Sequence, residues 1–326
     1  APGSCRGRAS IRPPGAPASE RRPARWVLLA GVLGVSAGSV GIYLAQNAGW
    51  IRFFDNLHWT SATAAAAILA WLGLLNDRHD RLPARKWFAA GLTMYFIGQL
   101  AWDVQIAVGY TDFPGPADLA YLWLGPSLAA GLLLEMFRIT QPGQRKHALL
   151  DMLALTIAAL MMVLVLYLPH RGEMSFLSSA VLVLYPVTLL SALSISLVLT
   201  LELRLRLSWQ WMIFILSLLG TGVAWMKWNL MALDGETIDG SWFNLMFSIS
   251  ILTLGWGIYQ WKFEPSNSKI FDRTCEAILQ FLPLLTVMAA SLAILLVTML
   301  DGVPKVVIPV TLVGALLVIV LAMIRQ

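Results

Sequence analysis

The chain has 326 residues, of which 58% are hydrophobic and only 13% charged, with a mean hydropathy of +0.71. Soluble domains carry about a quarter charged residues, so this composition excludes an ordinary soluble enzyme and belongs to a polytopic membrane protein. The formal net charge of +5 follows the loops, as set out below, and does not point to nucleic acid.

Residues 1–25 are rich in Pro, Arg, Ala, Gly and Ser without apolar periodicity, the pattern of a disordered basic tail. Ten apolar runs follow over residues 26–326, each close to the ~20 residues that cross about 30 Å of hydrocarbon as helix. They run from about Trp26 to Gln46, His58 to Leu75, Trp87 to Val108, Ala117 to Phe137, Ala148 to Leu168, Phe176 to Thr200, Ser208 to Met231, Ser241 to Trp261, Thr274 to Leu300 and Val306 to Ile324. The first is too long for a signal-peptide core and reads as an anchor. The expected fold is therefore an all-α polytopic membrane helical bundle of about ten transmembrane helices.

The loops alternate in charge. Arg6, Arg8, Arg12, Arg21, Arg22, Arg25, Arg78, Arg81, Arg85, Lys86, Arg138, Arg145, Lys146, Arg204, Arg206, Lys262, Lys269, Arg273 and Arg325 fall on one side, nineteen of the 23 basic residues. Arg52, Arg171 and Lys305 fall on the other, and Lys227 lies within the seventh run. The positive-inside rule then puts both termini in the cytoplasm, with the bacterial inner membrane as the expected location. Cys5 and Cys275 lie on the reducing side, so no disulfide is expected.

Gly31, Gly34, Gly38 and Gly41 in the first run and Ala62, Ala64, Ala65, Ala66 and Ala67 in the second predict close helix packing. An offset of 123 residues lays Trp102 over Trp225, and the loop G-Y-T-D-F-P-G-P over L-D-G-E-T-I-D-G. That suggests a parallel 4+4 repeat, residues 26–137 and 148–261, followed by two relay helices over 274–324. Pro126, Pro186, Pro283 and Pro309 each remove a helical N–H and predict kinks.

Gly109, Pro114, Gly115 and Pro116 break the chain between the third and fourth runs. Asp118 then opens the fourth, in a first turn that favours a carboxylate. Ionisable groups inside membrane spans are functional candidates, and Asp103 and Lys227 fall at almost the same depth, about 9 Å from the outer end by helix rise. The expectation is an outward-facing pocket built by Asp103, Lys227 and Asp118, with Trp102, Tyr121, Trp123, Trp225, Trp228, Asn229 and Asn244 as walls, for a small or lipidic ligand. The plainer alternative is a snorkelling Lys227, a capping Asp118 and an interfacial tryptophan belt.

Glu135, Asp151, Glu202 and Glu276 lie near basic residues at helix ends and read as solvated. His58, His79, His147 and His170 fall at or beyond the expected helix ends. No His/Cys/carboxylate spacing suits a metal and no haem-ligating histidine sits at mid-membrane, so no metal or cofactor is expected. No catalytic constellation is evident.

The run P-x-P-A-D-x-x-Y-L-x-x-x-P-x-x-A-x-G-L-L-L from Pro114 to Leu134, preceded by Trp102–Asp103 and followed by Tyr185–Pro186 and Leu233–Asp234–Gly235, resembles a known module. It is similar to the N-terminal multi-helix input region of bacterial membrane GGDEF and GGDEF-EAL proteins, which make or degrade cyclic di-GMP. The resemblance implies a sensory domain that relays an extracytoplasmic or lipidic signal through its last helix to a cytoplasmic output. It also implies a homodimer, because a cyclase needs two catalytic domains to meet. The GGDEF motif itself does not occur in these residues. Two other functions stay open: a transporter or permease-like carrier built on the two repeats, and an accessory subunit of a larger membrane complex.

Overall fold

The computed structural model describes residues 18–76, 83–110, 112–170, 172, 174–236, 238–299, 303 and 307–326. Among these residues there is no strand. The helices are α1 (Ala18–Leu44), α2 (Ala48–Asn76), α3 (Pro83–Ala107), α4 (Pro116–Tyr121), α5 (Leu124–Ile139), α6 (Pro142–Tyr167), α7 (Phe176–Glu202), α8 (Trp209–Leu233), α9 (Asn244–Gln260), α10 (Lys269–Met299) and α11 (Val307–Arg325). Eight segments are long and apolar enough to cross a membrane: α1 from Arg22, α2, α4 with α5, α6, α7, α8, α10 and α11. Of the ten expected spans, α9 has only 17 residues, and α3 carries Arg85, Lys86, Gln99, Asp103 and Gln105.

Six helices close into a ring in the order α2, α3, α5, α7, α8, α9 and back to α2. Outside it, α1 covers α2 and α9, α6 covers α7, and α10 and α11 pack on α6. The middle of the ring is filled, not hollow. Phe88, Tyr95, Tyr121, Leu128, Phe214, Trp225, Phe247 and Trp261 are all buried there in one continuous core.

Close approach depends on small residues, as the sequence suggested. A Cβ on Gly38 would lie 2.6 Å from His58 Cβ, and one on Gly255 only 2.4 Å from Ala66 Cα. With no hydrophobic drive between helices in lipid, such backbone contact is what packing requires.

Several boundaries differ from expectation, each for a physical reason. α2 begins at Ala48, so His58 is an interior helix residue with 1% exposure rather than a terminal one. Its first turns look like loop in sequence because Arg52 and Asp55 interrupt the apolar run. Residues 18–25 of the expected tail form the start of α1. Residues 1–17, Arg78, His79, Arg81, Arg171 and Lys305 lie outside the described residues.

The fourth run is broken at Leu122–Trp123 into α4 and α5. Pro126 lies four residues on, where its ring opposes the Leu122 carbonyl and offers it no N–H. Pro309, by contrast, sits in the first turn of α11, where no N–H is needed.

Three charged residues read as solvated or loop are buried. Glu135 is fully buried and accepts from the Ala84 amide (3.3 Å) and Arg138 Nε (2.8 Å). Asp151 accepts from Arg325 Nε of α11 (3.1 Å) and is 3% exposed. Arg85 donates to the carbonyls of Ile258 (3.1 Å) and Trp261 (2.5 Å), closing the C-terminal end of α9. Their neighbours in sequence are polar, but in space Glu135 and Arg85 meet helix ends with unsatisfied backbone groups, and Asp151 meets the Arg325 side chain.

Candidate functional site

The loop from Gly109 to Pro116 turns the chain from α3 into α4. Gly109 holds φ +72° there, a conformation that glycine adopts without strain. A Cβ on Gly115 would lie 2.3 Å from Gln105 Nε2, so a side chain there would push the Gln105 carboxamide aside. Gln105 Oε1 in turn accepts from the Ala117 amide at 2.9 Å, tying α4 back to α3.

Asp118 then sits in the first turn of α4, and its Oδ2 accepts from the Gly115 amide at 2.6 Å. Its Oδ1 accepts from the Tyr185 hydroxyl of α7. The Tyr185 ring stacks on Trp225 of α8, centroids 3.9 Å apart and planes 12° from parallel. Around Trp225 stand Tyr121 (5.8 Å), Trp228 (5.8 Å) and Phe247 (5.1 Å), all edge-on. Trp102 meets Trp228 from across the ring at 6.3 Å.

A second polar chain runs along α3. The Tyr121 hydroxyl donates to Gln99 Oε1 (2.7 Å), and Gln99 Nε2 donates to Asp103 Oδ1 (2.9 Å). Asp103 Oδ2 accepts from Thr60 Oγ1 of α2 (2.7 Å). The fold thus brings together Trp102, Asp103, Asp118, Tyr121, Trp225 and Trp228 into one aromatic and polar cluster, joined by Gln99 and Tyr185.

The other expected residues lie elsewhere. Trp123 is 51% exposed. Asn229 is buried but donates to the Leu182 carbonyl (2.9 Å) on the α7 side, and Asn244 donates to Asp55 (2.8 Å) and the Ile238 carbonyl (2.9 Å). Lys227 is exposed, and among the described residues it forms no ion pair. The Asp103–Lys227 pair is therefore not made, because α3 and α8 stand opposite each other in the ring rather than side by side. Lys227→Met is expected to leave stability within about 0.5 kcal/mol of wild type, measured by denaturant unfolding in mixed micelles. A loss well above that would restore the ion pair.

The cluster is packed rather than open. The cavity beside it, bounded by Trp59, Thr63, Tyr95, Gln99, Phe247 and Ser248, measures ≈ 10 Å³, room for about one water. A shallow groove of ≈ 470 Å³ along α10, walled by Ile270, Ile278, Phe281 and Leu285, holds none of the expected residues.

Sequence reasoning missed Gln99, Tyr95 and Thr60 as partners, although Gln99 and Asp103 at i, i+4 must share a helix face. It also missed Asp55, His58 and Ser248, which form a separate buried network. Asp55 and His58 at i, i+3 carried the same signal.

No protein-family model, curated protein or solved structure matches this chain. Among the described residues no group of histidine, cysteine and carboxylate side chains is arranged to hold a metal.

Proposed function

We propose that this chain is a membrane-embedded sensory domain of a bacterial signalling protein, relaying an extracytoplasmic or lipidic signal to a cytoplasmic output, cyclic di-GMP turnover. The observation that carries this reading is the meeting of Asp118 with Tyr185. These residues belong to the two halves of the resembling motif, 67 positions apart, and they form a direct hydrogen bond. The motif residues thus act as one constellation that joins α4 to α7, which suits a segment whose geometry responds to a ligand.

The relay is supported by a second, smaller core. Met161 and Val165 of α6 pack with Ala290, Ala293 and Val297 of α10 and Val307, Ala315 and Val318 of α11. A shift of α6 against α7 therefore carries α11 with it, and the Arg325–Asp151 bond couples its last turn to the start of α6. Such coupling transmits a signal only if the ligand binds two packings with different affinity.

In this reading ten segments cross the bacterial inner membrane, α4 and α5 counting as one and α3 and α9 included because the ring encloses their polar faces. Arg85, Arg138, Arg145, Arg204 and Arg325 mark the cytoplasmic end. The 4+4 repeat is supported by the order of neighbours: α2, α3 and α5 follow one another around the ring as α7, α8 and α9 do, with α1 and α6 outside. The domain works as a homodimer.

The test is a fusion of a diguanylate cyclase domain after Gln326, with cyclic di-GMP measured at matched membrane levels. Tyr185→Phe and Asp118→Asn are expected to change output by about threefold or more in the same direction. Unchanged output in both, with solute uptake by proteoliposomes of the unfused chain, would replace the sensor with a carrier.

A further inference from the structure

On the far side of the ≈ 10 Å³ cavity from Gln99 lies a polar network that the sensory reading does not use. Asp55 and His58, one turn apart on α2, share the face turned to α9. His58 Nε2 lies 2.8 Å from Asp55 Oδ1, and His58 Nδ1 lies 2.7 Å from Ser248 Oγ of α9. All three side chains are buried, with exposures of 7%, 1% and 1% for Asp55, His58 and Ser248. Two further donors reach Asp55 Oδ2: Asn244 Nδ2 at 2.8 Å and the Gly240 amide at 3.2 Å.

These partners limit where the hydrogens can sit. Three groups converge on Asp55, and two of them, an amide and a carboxamide NH₂, act only as donors. Both of these reach Oδ2 and leave Oδ1 to His58; with the carboxylate ionised, His58 Nε2 carries the hydrogen that points at it. In a neutral imidazole the other nitrogen is then an acceptor, so the Ser248 hydroxyl donates to Nδ1. In that form the network has room for one proton, on Nδ1.

We propose that Asp55, His58 and Ser248 form a proton-binding site at the α2–α9 seam. The bound species is a single proton, and this inference does not depend on the sensory reading. Imidazole is the side chain whose ordinary titration falls between about pH 5 and 8. A proton on Nδ1 converts a lone buried carboxylate into an imidazolium–carboxylate pair of zero net charge. No bond between heavy atoms forms or breaks.

The consequence is geometric. Once Nδ1 bears a hydrogen it must donate, so the Ser248 hydroxyl ceases to donate to it and turns its own hydrogen into the cavity. Trp59, whose buried Nε1 has no partner among the described residues, lines that same cavity, as does Gln99. Proton binding thus rewrites the hydrogen bonds between α9 and the centre of the ring.

The charged groups around His58 are few. On its own helix Asp55 is its direct partner, and Arg52 is taken up by Asp239 of the α8–α9 loop at 2.7 Å. From α3 the nearest carboxylate is Asp103, bonded to Thr60 of α2. From α9 only the neutral Asn244 and Ser248 face it, and from α1 Gly38 packs on its Cβ.

The experiment is ¹⁵N-histidine NMR of the full chain in phosphatidylcholine nanodiscs between pH 8 and pH 5, with hydrogen exchange of residues 238–248 followed in parallel. The expected result is one histidine, identified by its loss in His58→Gln, whose Nδ1 signal converts reversibly from the unprotonated to the protonated form. Exchange at the seam changes with it in wild type and is pH-independent in His58→Gln. Asp55→Asn should abolish the response at the seam, because the negative charge that compensates the imidazolium is gone. Ser248→Ala keeps Asp55 in place, so it retains the titration even where Asp55→Asn misfolds, while losing the response at the seam. A His58 signal that stays in one form from pH 8 to pH 5, or seam exchange that depends equally on pH in His58→Gln, overturns the proposal.

Discussion

Gly255→Val should destabilise the protein by about 3 kcal/mol, near the upper end of what overpacking a core costs. The atoms opposing a Cβ at Gly255 are Ala66 Cα at 2.4 Å, Cβ at 2.7 Å and the carbonyl oxygen at 2.9 Å. Two of these are backbone, so no rotamer change relieves the clash and α2 must separate from α9. The seam two turns away, where Ser248 meets His58, opens with it. Gly143→Ala is the matching control: nothing lies within 4 Å of that site, and its effect should stay within about 0.5 kcal/mol. Unfolding by SDS titration from lipid-detergent micelles measures both. If Gly255→Val matched Gly143→Ala, the α2–α9 contact would not be as close as described here.

A double-mutant cycle on Asp118→Asn and Tyr185→Phe should return a coupling of about 1.5–3 kcal/mol, the range for hydrogen bonds to charged groups. The bond joins α4 to α7, and removing the tyrosine hydroxyl leaves Asp118 with backbone amides alone, those of Gly115 and of Asp118 itself. Trp225 provides an independent reading, because Tyr185 lies flat on it at 3.9 Å. Asp118→Asn should free the ring and shift tryptophan emission in a manner that Tyr185→Phe alone reproduces. Strictly additive stabilities, with unchanged emission, would reduce Asp118 to a helix cap.

The membrane class and most of the helical segments were legible in the sequence because they depend on local properties. About twenty apolar residues in a row must satisfy their backbone as helix in lipid, whatever packs beside them. The Gly109–Pro116 turn and the position of Asp118 at a helix start were legible for the same reason, since glycine, proline and a capping carboxylate act over a few residues. Where locality failed, a charged face misled: Arg52 and Asp55 made the start of α2 look like a loop, and Asp55 turned out to face inward.

Partnership was not legible. Depth along a helix can be counted from sequence at 1.5 Å per residue, but rotation about its axis advances by about 100° with each residue. Asp103 and Lys227 share a depth, yet their helices face each other across a ring and Lys227 points away from it. The same holds for Glu135, Asp151 and Arg85, which meet the Ala84 amide, the Arg325 side chain and the carbonyls at the end of α9, all distant in the chain. The sequence alone determined which segments are helical, that they belong in a membrane, and which turn presents Asp118. Only the tertiary structure decided that Gln99 and Thr60 hold Asp103, that Tyr185 holds Asp118, and that Asp55, His58 and Ser248 meet at one seam, because side-chain contacts in lipid follow from how glycine-lined helices nest and turn toward one another.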